Sequence, residues 1–195
     1  MIPKKYLKYN PTFLTHGKRG EIYTFNKNKK KYALKIKRKE SQAKNRISNE
    51  AKFLKILNKH NIGPKLIDFS SKYLLMEFVK GKPIKEHIKQ TQNPNKILIQ
   101  ILNQCFILDQ LKINKLEMHK PVKHILIYKN KGTLIDFERC YYTINSKNVT
   151  QFCEFINRLS KEFSHIRAIP KEEILTYKKT KTKEAFTLLI KWIGN

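Results

Sequence analysis

The sequence predicts an α+β protein of two lobes: a β-rich N-terminal lobe holding one long helix, residues 1–80, and a mainly helical C-terminal lobe, residues 81–195. Three observations predict it. Between Glu21 and Lys37 apolar and polar residues alternate with the period of two that a half-buried strand imposes. Ile47, Glu50, Leu54 and Leu57 recur at the 3,4,3 spacing of one helical face. After Val79-Lys80-Gly81-Lys82-Pro83, whose Gly and Pro mark a linker, helical periodicity dominates.

The first alternation resolves into strands Glu21 to Phe25 and Tyr32 to Lys37 around the polar turn Asn26 to Lys31, a β-hairpin. A helix follows from about Ser41 to Lys59 and stops at Asn61-Ile62-Gly63-Pro64. Glu50 falls inside its apolar stripe. Short strands come next, Leu66 to Phe69 and Tyr73 to Phe78. In the second half a short helix spans Ile84 to Gln90, and a long one from Asn95 to Leu111 carries Ile97, Leu98, Ile101, Leu102, Cys105 and Leu108 on its face. A second hairpin pairs Ile125 to Tyr128 with Thr133 to Phe137 through Lys129 to Gly132. Helices close the chain, Val149 to Phe163 and Lys171 to Trp192. Two lobes imply a cleft, where ligands usually bind.

Composition narrows the class. With 40% hydrophobic residues and 20 Phe and Tyr in 195, the chain has material for a core, which excludes intrinsic disorder. No apolar run approaches the ~18 residues of a membrane span, and Met1 to Tyr9 lacks the apolar stretch of a signal peptide, so a soluble, cytoplasmic protein without a membrane partner is expected. Cys105, Cys140 and Cys153 are odd in number and widely spaced, without zinc-ligand spacing, which suits a reducing compartment. The formal net charge is +27, from 42 Lys and Arg against 15 Asp and Glu. Such an excess is the footprint of a nucleic-acid binder. Yet Lys and Arg are spread evenly, 36 to 6, and accompany 16 Asn, as A/T-rich codons alone would produce. Composition and function therefore compete to explain the charge.

The chemistry concentrates in a few places. Thr15-His16-Gly17-Lys18-Arg19-Gly20-Glu21-Ile22 sets two glycines three apart before a strand with two cations between them, a backbone that can approach phosphate closely. Strand alternation sends Ala33 and Lys35 to one face. A carboxylate in an apolar stripe is costly unless paired, and Lys35 is the natural partner of Glu50, expected within about 4 Å. Asp occurs only at 68, 109 and 136, and Asp136 ends an apolar strand, where a magnesium ligand belongs.

These residues, in this order, resemble the protein-kinase superfamily, and specifically its small, RIO-like archaeal members predicted to be serine/threonine kinases. The resemblance covers roughly residues 12–165 and implies a kinase-like fold with a reduced C-terminal lobe that binds ATP with Mg²⁺ or Mn²⁺. Gly17 and Gly20 match the second and third glycines of the nucleotide loop, with Lys18 and Arg19 between them and Thr15 in place of the first. Ile22 falls where the family covers the adenine. Ala33, Lys35 and Glu50 look like the third-strand alanine and lysine and their helix partner. Leu74-Leu75-Met76-Glu77-Phe78-Val79-Lys80-Gly81 is similar to the gatekeeper and hinge, with Met76 the gatekeeper and the backbone of Glu77, Phe78 and Val79 facing adenine. Leu134-Ile135-Asp136-Phe137-Glu138 resembles the metal-binding Asp-Phe-Gly, with glutamate for glycine.

The catalytic loop departs from the family. His119 stands where the resemblance places the catalytic aspartate, and His124 at the second metal-ligand asparagine. An imidazole can orient or deprotonate a hydroxyl near neutral pH, and Glu117 can do so if the loop has slipped. His124 suits manganese or phosphate better than Mg²⁺, which prefers oxygen. Lys120 and Lys123 would neutralise the transferred phosphoryl group. Only about ten residues separate Glu138 from the next helix, too few for an activation segment. The phosphate acceptor implied is a protein or another hydroxyl-bearing substrate. Two alternatives stand beside the kinase. One is an ATP-binding pseudokinase with an interaction role; the other is an RNA-binding module that uses Gly17-Lys18-Arg19-Gly20 as a backbone clamp, a clamp that elsewhere joins two helices. A nucleic acid or an acidic partner would meet the basic surface.

Overall fold

The computed structural model describes residues 1–16, 20–38 and 45–194. The chain is α+β, and its described strands all pair antiparallel. It divides into two compact units, Met1–Val79 together with Asp136–Arg139, and Lys80–Ile135 together with Cys140–Asn195. The short return segment 136–139 thus belongs with the first unit.

In the first unit, strands β1 (Thr12–His16), β2 (Gly20–Lys27), β3 (Lys30–Lys37), β4 (Leu66–Phe69) and β5 (Tyr73–Glu77) form one sheet in the order β1-β2-β3-β5-β4. The β2–β3 hairpin is longer at its turn than alternation suggests. Asn28 and Lys29 both take positive φ, 49° and 60°, which closes a two-residue turn whose twist matches antiparallel strands. Helix α1 (Lys4–Leu7) precedes the sheet, and α2 (Arg46–Leu57), continued by a 3₁₀ turn at Asn58–His60, follows β3. The expected start of that helix, residues 41–44, lies outside the described residues.

Register sorts the side chains of this sheet onto two faces. Ile22 pairs with Lys35 and Lys35 with Leu74; Thr24 pairs with Ala33 and Ala33 with Met76. These six therefore share one face. The opposite face carries Phe25, Leu34, Ile36, Tyr73 and Leu75, a core cluster to which Tyr6 of α1 belongs and against which Ile2 and Tyr9 pack. Tyr6 and Tyr9 stack on Phe25 with ring centroids 5.7 and 5.2 Å away.

Asp68 fastens the N-terminal segment to this sheet. Its Oδ2 accepts bonds from Lys5 Nζ at 2.6 Å, Tyr73 OH at 2.9 Å and Tyr6 OH. Burial pushes the Asp68 carboxyl up, but the hydrogen bonds from Lys5, Tyr6 and Tyr73 outweigh it and hold the group at about 2 against an ordinary 3.8. A depressed folded value means that the contribution is complete above the unfolded value and is lost as pH falls through the folded one. Between about pH 4 and pH 2 the native chain should lose stability to acid that Asp68→Asn no longer has to lose. Thermal melts over that window test this; equal acid slopes for the two proteins would overturn it.

The second unit holds β6 (Lys82–Pro83), α3 (Ile84–Gln90), α4 (Asn95–Gln110), β7 (Ile113–Lys115), a 3₁₀ turn at Leu116–His119, β8 (Ile125–Tyr128), β9 (Lys131–Leu134), β10 (Cys140–Tyr142), α5 (Asn148–Ser160), α6 (Lys171–Thr180) and α7 (Lys183–Gly194). Part of the expected linker is a strand: β6 pairs with β8, and Gly81, at φ +143°, lies so close that a Cβ would sit 2.7 Å from the Ile127 carbonyl oxygen. The second hairpin turns earlier than expected. Lys129 and Asn130 take positive φ, so β9 begins at Lys131 and ends at Leu134, leaving Asp136 outside the strand. The single terminal helix expected from 171 to 192 is two helices. Lys181 breaks it in the left-handed region, φ +52°, with its N–H on the Tyr177 carbonyl at 2.8 Å and its ammonium on the Ile144 carbonyl at 2.8 Å.

The long helix α4 packs on α5 and α7, and Phe106 stacks on Phe186 at 4.1 Å. Asp109, buried at the end of α4, accepts bonds from the Asn148 backbone N–H and side-chain amide (3.0 and 2.7 Å), the Val149 N–H (3.3 Å) and Tyr177 OH (3.1 Å). It thereby satisfies amide donors left open at the start of α5. No disulfide joins the three cysteines, all buried. Among the described residues no helix is long and apolar enough to cross a membrane.

Candidate active site

Lys35 lies on the face of β3 that α2 approaches, and Glu50 comes from the buried stripe of that helix. The ion pair expected between them forms: Lys35 Nζ is 2.7 Å from Glu50 Oε2. The same ammonium is 3.2 Å from Asp136 Oδ1 and 3.1 Å from Glu138 Oε2. A lysine has three N–H donors, and each meets a carboxylate. Side-chain exposure is 1% for Glu50, 11% for Lys35, 10% for Glu138 and 34% for Asp136, so the side of the cluster nearest solvent is Asp136.

Helix α2 fixes the returning segment by its backbone as well. Glu50 Oε1 accepts the Phe137 N–H at 3.2 Å, and the Glu138 carbonyl accepts from Asn49 Nδ2 at 3.0 Å and Arg46 Nη1 at 3.4 Å. Asp136 takes φ +62°, a left-handed turn that aspartate tolerates better than most residues. Phe137 is fully buried beside Leu54 and Gly63. With Phe137 thus held, its neighbours at 136 and 138 both reach Lys35.

Burial pulls the Lys35 ammonium down, but the charges of Glu50, Asp136 and Glu138 outweigh it and keep the group protonated above the ordinary lysine range. Burial pushes the Glu50 carboxyl up, against the pull of Lys35 and with the charge of Asp136 adding to the rise. One ammonium against three carboxylates leaves a formal charge of −2 in a chain whose total is +27. One oxygen from each of the three acids lies within 4.8 Å of the others, an all-oxygen set of the hard type that divalent cations such as Mg²⁺ prefer.

Other predicted residues fall into three groups. Ile22, Ala33 and Met76 share the sheet face of Lys35, with Ala33 buried and Ile22 and Met76 half-buried. The N–H groups of Glu77 and Phe78 are already committed, to the carbonyls of Lys65 (2.9 Å) and Lys31 (3.0 Å), so those two donors are not the ones left for a ligand; Val79 follows them, half-buried. Gly20 begins β2, whereas Gly17, Lys18 and Arg19 lie outside the described residues. Strands flank that stretch on both sides, β1 before and β2 after, which argues against a clamp that joins two helices.

Glu117, His119, Lys123 and His124 lie in the second unit. Glu117 is buried, and its carboxylate accepts from Lys115 Nζ at 3.0 Å. Lys115 is itself fully buried. His119 is exposed, with Nδ1 2.8 Å from the Leu116 carbonyl. A carbonyl only accepts, so Nδ1 carries the proton in that bond and Nε2 of the neutral ring is the basic nitrogen. Lys123 is exposed. His124 is half-buried, with its backbone bonded to Pro121 and Ile135.

Sequence reasoning noticed Glu138 only as a replacement for glycine and missed Arg46, Asn49 and Phe137 as its supports. No protein-family model matches the chain, and a search of curated proteins finds no match.

Proposed function

We propose that the chain is an ATP-dependent phosphotransferase, an atypical serine/threonine-kinase-like enzyme that moves the γ-phosphoryl group of ATP to a hydroxyl. The observation that carries this is one ammonium, Lys35, bonded to Glu50 fifteen positions on and to Asp136 a further eighty-six on, beside the small face made by Ala33, Ile22 and Met76. Lys35 would hold the phosphates and Glu50 would hold Lys35. Asp136 and Glu138 would bind Mg²⁺ or Mn²⁺, which supplies charge neutralisation at the phosphoryl oxygens when bound. His124 offers nitrogen and would suit Mn²⁺ or a phosphate oxygen better than Mg²⁺. In the transfer the acceptor oxygen would bond to the γ-phosphorus as the bond to the β–γ bridging oxygen breaks; ADP would leave, and the hydroxyl proton would go to a base, the role for which the kinase resemblance offers His119. Lys120 and Lys123 would steady the transferred group. The acceptor is a hydroxyl on a protein or a smaller molecule.

An ATP-binding pseudokinase is the second reading. It is favoured by the saturation of Lys35, whose three donors already serve Glu50, Asp136 and Glu138. Incubation with γ-labelled ATP and Mg²⁺ or Mn²⁺ separates the two. Label should enter the native chain or an added acceptor protein and fall at least about a hundredfold in Asp136→Asn, since the metal-binding charge acts in the transition state. Binding of ATP without any transfer would leave the pseudokinase; incorporation indifferent to the substitution would overturn both.

A further inference from the structure

The helices α5 and α6 of the second unit enclose a groove of about 560 Å³ whose lining is predominantly cationic. Lys147, Arg158, Lys161, Lys171 and Lys178 line it against one carboxylate, Glu154. Five of its eleven lining residues are Lys or Arg, against 42 of 195 in the whole chain. That doubling is more than an even spread of lysine provides. The spacing on α5 is regular: 147, 151, 154, 158 and 161 advance by 4, 3, 4 and 3, so these residues form one stripe along the helix. At 1.5 Å per residue the stripe is about 20 Å long. Across from it, Lys171 and Lys178 stand two turns apart on α6.

Of the three neutral polar side chains in the groove, Asn157 and Thr150 are occupied, whereas Gln151 Oε1 is buried without a hydrogen-bond partner. Both ends of the Asn157 amide serve Ile169, each at 2.8 Å, and the Thr150 hydroxyl donates to the Lys147 carbonyl at 3.1 Å. Arg158 donates to the His119 carbonyl. The four lysines are exposed, and among the described residues none of them has an ion pair or a side-chain hydrogen bond. No aromatic ring lines the groove, so it has no platform for stacking bases. Recognition there rests on a line of positive charge and little else.

We propose that this groove binds the phosphodiester backbone of a single-stranded nucleic acid, without regard to its sequence. One anionic charge per nucleotide along a line is met by Lys147, Arg158 and Lys161 along α5 and by Lys171 and Lys178 along α6, and point-charge lysines suit phosphate held by charge alone. A concave track between two helices admits one strand. An acidic peptide carries its charges on side chains of uneven spacing and asks for several hydrogen-bonding groups, of which the groove keeps Gln151 alone among its neutral side chains.

Fluorescence anisotropy with a labelled twelve-nucleotide oligouridine tests this on the full chain. Two quadruple variants remove the same charge: Lys147, Lys161, Lys171 and Lys178 to Gln in the groove, and exposed Lys89, Lys96, Lys183 and Lys191 to Gln elsewhere in that unit. Circular dichroism checks that both fold. The groove variant should bind at least about tenfold more weakly, and its slope of log affinity against log salt should fall by about 3, near 0.7 per lost phosphate contact. The other variant should stay within about threefold of the native chain. Equal losses in the two would return the binding to overall charge, and no binding at low salt would remove it. Displacement of the RNA by polyglutamate at equal charge concentration would make the groove a site for acidic peptides instead.

Discussion

Lys35→Met is expected to cost the first unit about 3–5 kcal/mol, the usual penalty for removing one partner from a buried ion pair. The reason is what remains. Glu50, Asp136 and Glu138 keep carboxylate oxygens within 4.8 Å of one another, and the ammonium that offsets them is gone. Glu50, at 1% exposure, cannot turn to water, whereas Asp136 at 34% can. Against a typical domain stability of about 5–15 kcal/mol the loss is large and easily read in a urea melt of the full chain. Adding Glu50→Gln and Glu138→Gln to the variant should recover most of it, because charge repulsion is then removed. Phosphoryl transfer should be lost in every Lys35→Met background, whatever the stability. A single variant as stable as the native chain would show that the cluster does not hold the unit together.

Gly63→Ala is the second large effect, and it acts at a distance from the ammonium. Gly63 has φ +79°, and a Cβ built there falls 2.8 Å from the Phe137 ring and 2.9 Å from Leu54 Cδ2. A left-handed non-glycine backbone costs about 1–2 kcal/mol and overpacking a core about 1–3. A loss of roughly 2–5 kcal/mol is therefore expected. Phe137 is the residue able to yield, and its neighbours hold Lys35, so label transfer should fall along with the melting midpoint. Phe137→Leu in the Gly63→Ala background removes the ring contact and should restore the packing part alone. If the double variant melts no higher than Gly63→Ala, the ring is not the obstacle.

Much of the first unit was legible in the sequence because its elements carry a strong period. The β2–β3 hairpin alternates, β4 falls on the expected residues, as does α3 in the second unit, and Glu50 stood out as a carboxylate in an apolar stripe whose cost demanded Lys35. What escaped was held by contacts rather than by pattern. Strand β1 is exposed along its whole length and so shows no alternation, and β7 and β10 are three residues each, too short to show any. The break at Lys181 has neither Gly nor Pro to announce it; its stability comes from carbonyls of Tyr177 and Ile144 that the local sequence does not reveal. The scarcity of aspartate was a true signal with an ambiguous meaning. All three aspartates anchor hydrogen-bond clusters, but Asp68 ties down the N-terminal segment and Asp109 caps a helix, so rarity marked structural positions as surely as a candidate site.

The segment Asp136–Arg139 makes the first unit discontinuous in sequence, and this bears on synthesis. A ribosome that has delivered residues 1–79 has delivered the sheet, α1 and α2, but neither Phe137 nor the two carboxylates that follow Glu50 onto Lys35. Until some sixty further residues emerge, the place beside Leu54 and Gly63 has no ring to fill it. The nascent first unit is thus obliged to wait for the second half of its own chain, and its closure is a late, long-range event of the kind that slows folding.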